Sequence, residues 1–124
     1  MAVNFTDREL DVMSVLWELE SATVAQVRER LADELAYTTV LSVLQTLEEK
    51  GHVGHREVGK AYRYFPKVAR TAAGKSALRR LREKIFGGSA ELLVTQLVSD
   101  RDLSREELER LRALMDERLG GKKR

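Results

Sequence analysis

Thr38-Thr39-Val40-Leu41-Ser42-Val43-Leu44-Gln45-Thr46-Leu47-Glu48-Glu49-Lys50-Gly51 reads as a helix with two unlike sides. At about 100° per residue, Val40, Val43, Leu44 and Leu47 gather on one side and belong in a core. The other side carries Thr38, Leu41, Ser42, Gln45 and Glu49, with Thr39 and Thr46 on its flank. Gly51 stands where a helix C-terminus expects a glycine. In a chain that is 34% charged, an ordinary solvated face would carry Lys, Glu and Arg. A surface of Thr, Ser and Gln suits contact with another polar surface such as base edges. Leu41 on that surface needs an apolar partner, for example a thymine methyl. A low-charge solvated face also arises by chance, so the neighbouring segments have to be weighed with it.

Thr6-Asp7-Arg8-Glu9 is a capping box at the head of a first helix. Leu10, Val12, Met13, Val15, Leu16, Trp17 and Leu19 give that helix a wide apolar arc, with Trp17 expected as a core anchor. Thr23-Val24-Ala25-Gln26 is a second capping box. Val24, Val27 and Leu31 mark one face of a helix expected to end near Asp33 or Glu34, and Leu35-Ala36-Tyr37 forms a link. Tyr37 reads equally as a packing residue or a phosphate contact. After Gly51 the pattern changes. His52–Val58 and Ala61–Phe65 read as short strands, with Gly59-Lys60 as the turn and Pro66 as the stop. His52 and His55, three apart, resemble a metal pair, but without Cys or an acidic neighbour they read better as strand or DNA-edge residues. Three helices followed by a basic-tipped hairpin describe a winged helix-turn-helix.

From Thr71 the chain changes character. Leu78, Leu81 and Ile85 recur among Lys75, Arg79, Arg80, Arg82 and Lys84, a basic run that reads as a solvated face with secondary electrostatic help to DNA. Phe86-Gly87-Gly88 breaks this helix, and Ser89 caps the next, in which Leu93, Val94 and Leu97 align. Ser104-Arg105-Glu106-Glu107 is a further capping box, opening a helix with Leu108, Leu111, Leu114 and Met115 on one side. A tail of about 55 residues is near the size at which a single core becomes marginal. The expectation is a homodimer whose tails interlock through Leu78, Leu81, Ile85, Leu93, Leu97, Leu108, Leu111 and Met115. A monomeric bundle using the same stripes is the alternative. The fold class is mainly α with a small β-hairpin. It is laid out as a winged-helix DNA-binding domain over 1–68, an all-α dimerisation domain over 69–119, and a disordered basic tail over 120–124.

The length, 124 residues, admits one domain or a small domain with an appendage. Lys and Arg number 22 against 20 Asp and Glu, a net +2 too mild to indicate nucleic acid by itself. Its distribution says more. Residues 1–66 hold 7 basic against 11 acidic residues, net −4, and the remainder carries +6. Within 50–70, however, Lys50, Arg56, Lys60, Arg63, Lys67 and Arg70 face Glu57 alone. Cys is 0, which excludes disulfides, thiolate metal sites, Fe–S clusters and a cysteine nucleophile, and 2 His leave no His-rich cage. No Ser/His/Asp set or phosphate-cradling glycine loop is visible. The expectation is therefore no enzyme, no catalytic residue, no metal and no cofactor. No signal segment and no apolar run of about 20 residues appears, so the expectation is a cytoplasmic protein without membrane insertion.

Several strings resemble the penicillinase repressor family (BlaI and MecI, with the copper-responsive CopY branch). They are Leu10-Asp11-Val12-Met13 with Leu16-Trp17, Ala36-Tyr37-Thr38-Thr39-Val40, Leu44-Gln45-Thr46-Leu47-Glu48-Glu49-Lys50-Gly51 and Tyr62-Arg63-Tyr64-Phe65-Pro66. In the tail they are Phe86-Gly87-Gly88-Ser89 and Asp102-Leu103-Ser104. The resemblance implies a bacterial, dimeric winged-helix repressor acting on a double-stranded DNA operator with dyad symmetry. The family's recognition helix falls on Thr38 through Lys50. Its base-facing positions fall on Thr38, Leu41, Ser42 and Gln45, the set that helical periodicity selects independently. Thr39 and Thr46 flank them, and Arg56, Lys60 and Arg63 of the wing meet phosphates. Some members carry Arg where this chain has Leu41 or Thr46. In β-lactam-responsive members a membrane sensor-protease pathway leads to cleavage of an Asn-Phe bond. The matching pair here, Gln96-Leu97, departs from that pattern, and the C-terminal Cys pairs of the copper branch are missing. Two other readings stand beside this one. One is a winged-helix protein–protein module without DNA binding, and the other a ligand- or metal-responsive regulator of the same family.

Overall fold

A computed structural model describes residues 4–120. The chain divides into two compact units, with the boundary along the sequence falling between Leu78 and Arg79, within α4. The first holds α1 (Asp7–Leu19), α2 (Val24–Arg30), α3 (Tyr37–Glu49), β1 (Val53–Val58), β2 (Ala61–Pro66) and the start of α4 (Arg70–Lys84). The second holds the end of α4, α5 (Ala90–Val98) and α6 (Arg105–Gly120). Gly120 is thus the last residue of α6. The rest of the expected disordered tail, Gly121 to Arg124, lies outside the described residues.

In the first unit both capping boxes close reciprocally. Thr6 Oγ1 accepts from the Glu9 N–H at 3.1 Å, and Glu9 Oε1 accepts from the Thr6 N–H at 2.8 Å. Thr23 and Gln26 repeat the arrangement at 3.2 and 2.9 Å. Each cap satisfies backbone donors that a helix start leaves orphaned, and is worth about 1 kcal/mol. Val12, Met13 and Leu16 of α1 pack with Val27 of α2, Val40, Leu44 and Leu47 of α3, and Val53 and Tyr64 of the hairpin. Trp17 is half-buried rather than enclosed. Its indole N–H donates to the Val68 carbonyl at 2.8 Å, Phe5 meets it edge-on, and Arg70 lies over its ring at 5.7 Å. It therefore pins the chain entering α4 against α1.

The helix starting at Thr23 ends at Arg30, a turn before the expected Asp33 or Glu34. Leu31 takes an extended backbone and turns its side chain toward the core, while Arg28 donates to the Leu35 carbonyl at 2.7 Å. Tyr37 opens α3 instead of linking to it, with Ala36 at the cap position. The hairpin is antiparallel, with His55 opposite Tyr64 and Val58 opposite Ala61. β1 begins at Val53, leaving His52 outside it, and β2 extends to Pro66. Gly59 makes the turn at φ 65°, a conformation costly for residues with a Cβ. Ala22 adds a third, single-residue strand: its N–H and carbonyl exchange hydrogen bonds with Tyr64 at 2.9 and 2.8 Å.

In the second unit Ser89 Oγ caps α5 through the Leu92 N–H at 3.0 Å. Ser104 and Glu107 cap α6 reciprocally at 3.1 and 3.2 Å. Local order is well specified, yet neither helix has a buried residue.

Candidate nucleic-acid interface

Up to Glu49 at its C-terminal end, the outer side of α3 is as uncharged as the periodicity predicts. Thr38, Thr39, Ser42, Gln45 and Thr46 are all exposed. Buried Val40, Leu44 and Leu47 on the reverse side fix the helix rotationally, so this set cannot turn inward without exposing the core. Leu41 departs from the expectation. It is half-buried and packs against the core, because the start of α2 and the wing fold up beside α3 and provide apolar neighbours. With Val24, Ala25, Tyr37, Gln45 and Tyr62 it lines a hollow of about 450 Å³ at the junction of α2, α3 and wing. Only the free edge of its side chain is exposed.

The three wing cations differ. Lys60 sits exposed at the hairpin tip and makes no ion pair or hydrogen bond among the described residues. Arg56 is exposed on β1 with its guanidinium 5.3 Å from the Phe65 ring centroid. Arg63 points elsewhere: it donates through Nε to Ser21 Oγ at 3.2 Å and through a terminal nitrogen to the Ser21 carbonyl at 3.1 Å. It ties the wing to the α1–α2 turn, so its guanidinium is partly committed within the domain.

Two residues outside the sequence-derived set help position this face. Lys50, at the end of α3, donates to both oxygens of Glu9 at 2.8 and 3.1 Å. Burial acts to raise the Glu9 carboxyl, but the hydrogen bonds from Lys50 and Thr6 outweigh it and hold the group below its ordinary value. Glu48 of α3 accepts from His55 Nδ1 of β1. Both pairs join residues 41 and 7 positions apart, in different elements, so no local period signals them. His52 stacks on Phe5 at 4.9 Å. Among the described residues no group of three His, Cys, Asp or Glu is placed to hold a metal ion, and no helix is long and apolar enough to cross a membrane.

The residues expected at the dimer interface fall into two classes. Leu93, Leu108 and Leu111 are half-buried, whereas Leu78, Leu81, Ile85, Leu97 and Met115 are exposed, Ile85 by 67%. Gln96 and Leu97 lie exposed within α5.

Known proteins place this architecture. A MarR family protein from Bacillus stearothermophilus shares the fold with a TM-score of 0.57 at 15% identity, over 98% of this chain and 78% of that one. The penicillinase repressor of Bacillus licheniformis is 24% identical over 120 residues, covering 95% of this chain and 94% of its own. The methicillin resistance regulatory protein MecI of Mammaliicoccus sciuri is 22% identical over 112 residues, or 89% and 91% of the two chains. The transcriptional regulator BlaI of Mycobacterium tuberculosis reaches 46% over 63 residues, 48% of this chain and 46% of its own. The family model described as penicillinase repressor matches residues 5–117. The chain therefore belongs to the penicillinase repressor family, and it is a winged-helix transcriptional repressor rather than an enzyme.

Proposed function

We propose that this chain binds a dyad operator as a homodimer in the bacterial cytoplasm and represses by obstructing polymerase. One observation carries the reading. From Thr38 to Thr46 the exposed side of α3 is built from Thr38, Thr39, Ser42, Gln45 and Thr46 without a charge, beside a wing whose Lys60 has no partner among the described residues. Each α3 enters a major groove, where hydroxyl and amide groups meet base edges and the edge of Leu41 meets a methyl. Lys60 and Arg56 neutralise flanking phosphates. Dimerisation spaces the half-sites by about one helical turn, ~10 bp, or a multiple of it.

The second copy is argued from α5 and α6. Helices that bury no residue of their own leave Leu97, Leu114, Met115 and Leu119 facing water. A unit this small gains a core by sharing one. Relief of repression through a membrane sensor-protease acting at Gln96–Leu97 would require α5 to open locally, because the bond lies inside a helix.

Genomic footprinting of the purified protein tests the reading. The expected result is protection of paired half-sites at promoters. Gln45→Ala and Ser42→Ala should each reduce operator-over-random discrimination by roughly 5- to 100-fold, the worth of about 1–3 kcal/mol per base contact. Unchanged discrimination in both variants would overturn the assignment of the reading face. Absence of any selective protection would favour a protein–protein module.

A further inference from the structure

We propose that His55 and Glu48 form a strut that holds the wing at a set angle to the reading helix, so that the pair positions the wing cations for the bases and phosphates flanking each half-site. The inference rests on the DNA-binding reading above only for its consequence; the strut itself is a property of the free protein.

The hairpin has six paired positions, and His55 opposite Tyr64 is the third from its base. At and below this point the hairpin is anchored. Val53 and Tyr64 are in the core, Tyr64 pairs with Ala22, and the Lys67 N–H donates to the His52 carbonyl. Beyond it, Arg56, Glu57, Val58, Gly59, Lys60, Ala61 and Tyr62 are all exposed, and Arg63 opposite Arg56 is held by Ser21 of the α1–α2 turn but not by α3. The cations that a flanking duplex would meet therefore stand on an overhang. His55 is where that overhang is tied to α3: its Nδ1 lies 2.7 and 2.9 Å from the two oxygens of Glu48. A carboxylate only accepts, so Nδ1 carries the proton and donates. The ring is held from the other side by Tyr62 and Tyr64, at centroid distances of 4.6 and 5.5 Å. The titratable groups around it are Glu48 from α3 and the two tyrosines from β2, with Tyr37 of α3 beside Tyr64. Burial first, and then the charges of Glu48, Tyr37 and Tyr62, raise the Tyr64 hydroxyl above its ordinary value, so it remains a neutral wall.

Glu48 also has an electrostatic effect. It is an acid on the helix that approaches DNA, and His55 covers it.

The test has one arm without DNA and one with it. In the free full-length protein, protection factors of the wing amides from Arg56 to Tyr62 are measured for wild type, His55→Gln, Glu48→Gln and the double variant at one fixed pH. Half-exposed pairs of this kind support a change of about 2- to 5-fold. Each single variant should lower wing protection by that factor, and the double variant should be no worse than either. Protection of α1 and α3 core amides should stay unchanged, which a general loss of folding would not allow. In the second arm the variants should lose discrimination among operators altered only in their flanks, while half-site discrimination persists. Unaltered wing protection or additive losses in the double variant overturns the strut whatever happens with DNA. Normal wing loosening with no selective DNA binding by wild type overturns the DNA-binding reading and leaves the strut standing.

Discussion

Replacing Lys50 with Met keeps the aliphatic stem and removes the charge that answers Glu9. Glu9 is only 4% exposed and accepts two hydrogen bonds from Lys50 Nζ, at 2.8 and 3.1 Å, besides the cap bond from the Thr6 N–H. Hydrogen bonds to a charged group are worth about 1.5–3 kcal/mol, and breaking a fully buried pair costs about 3–5 kcal/mol. The Lys50 side chain is 42% exposed, so solvent already screens part of the pair, and the lower range applies. Lys50→Met should therefore cost about 1–2 kcal/mol at pH 7. In urea that is a midpoint shift on the order of 1 M, read at one fixed protein concentration so that any self-association contributes equally to both proteins. The pH dependence is diagnostic. In the wild type the Glu9 carboxyl lies below its ordinary value of 4.5, so its contribution is complete above that value and is lost as pH falls through the depressed one. In the variant burial acts with less opposition, the carboxyl rises, and protonation relieves it. The gap between the two proteins should be widest at neutral pH and close as pH falls below the ordinary carboxylate range. A gap below about 0.3 kcal/mol at pH 7, or one that does not narrow on acidification, would refute the claim that this pair joins the start of α1 to the end of α3 energetically.

Lys60→Ala should lower operator affinity and reduce the slope of log affinity against log salt by about 0.9 per lost phosphate contact. Arg63→Ala should act chiefly on stability, by about 1 kcal/mol through the Ser21 bonds; a larger salt-slope change for Arg63→Ala than for Lys60→Ala would reverse these roles. Leu111→Asp should raise the dimer dissociation constant by at least ~30-fold in sedimentation equilibrium and weaken operator binding with it; a monomer that binds the operator normally would contradict the dimer argument. A Cβ at Gly54 would stand 2.7 Å from Phe65 Cζ. Gly54→Ala should consequently cost about 1–2 kcal/mol in thermal unfolding and displace the ring under Arg56; an unchanged melting temperature would show that the ring moves freely.

Much of the local structure of both units was legible because its signals are local. A capping box spans four residues, a helical face repeats within two turns, and a glycine stop acts where it stands. Thr6 with Glu9, Thr23 with Gln26, Ser104 with Glu107, and the uncharged side of α3 all depend on neighbours a few positions away. The penicillinase repressor resemblance rests on the same kind of local string. Where local cues competed with packing, the reading slipped. The α2 pattern continues through Leu31, but the helix ends before it because Leu31 gains more by turning into the core. Leu41 falls on the outer side by periodicity, yet the wing and the start of α2 enclose half of it.

By itself, then, the sequence determined the order of the elements, the caps that start the helices, the face α3 turns outward and the apolar stripes of the tail. Each of these follows from backbone periodicity and hydrogen bonding over short separations. Only the tertiary structure decided that Ala22 joins the sheet, that Ser21 holds Arg63, that Glu9 answers Lys50 and that Glu48 is paired with His55. Those pairings bring together residues whose separation along the chain carries no period. They exist because close packing of α1, α3 and the hairpin leaves each of these polar groups one partner within reach.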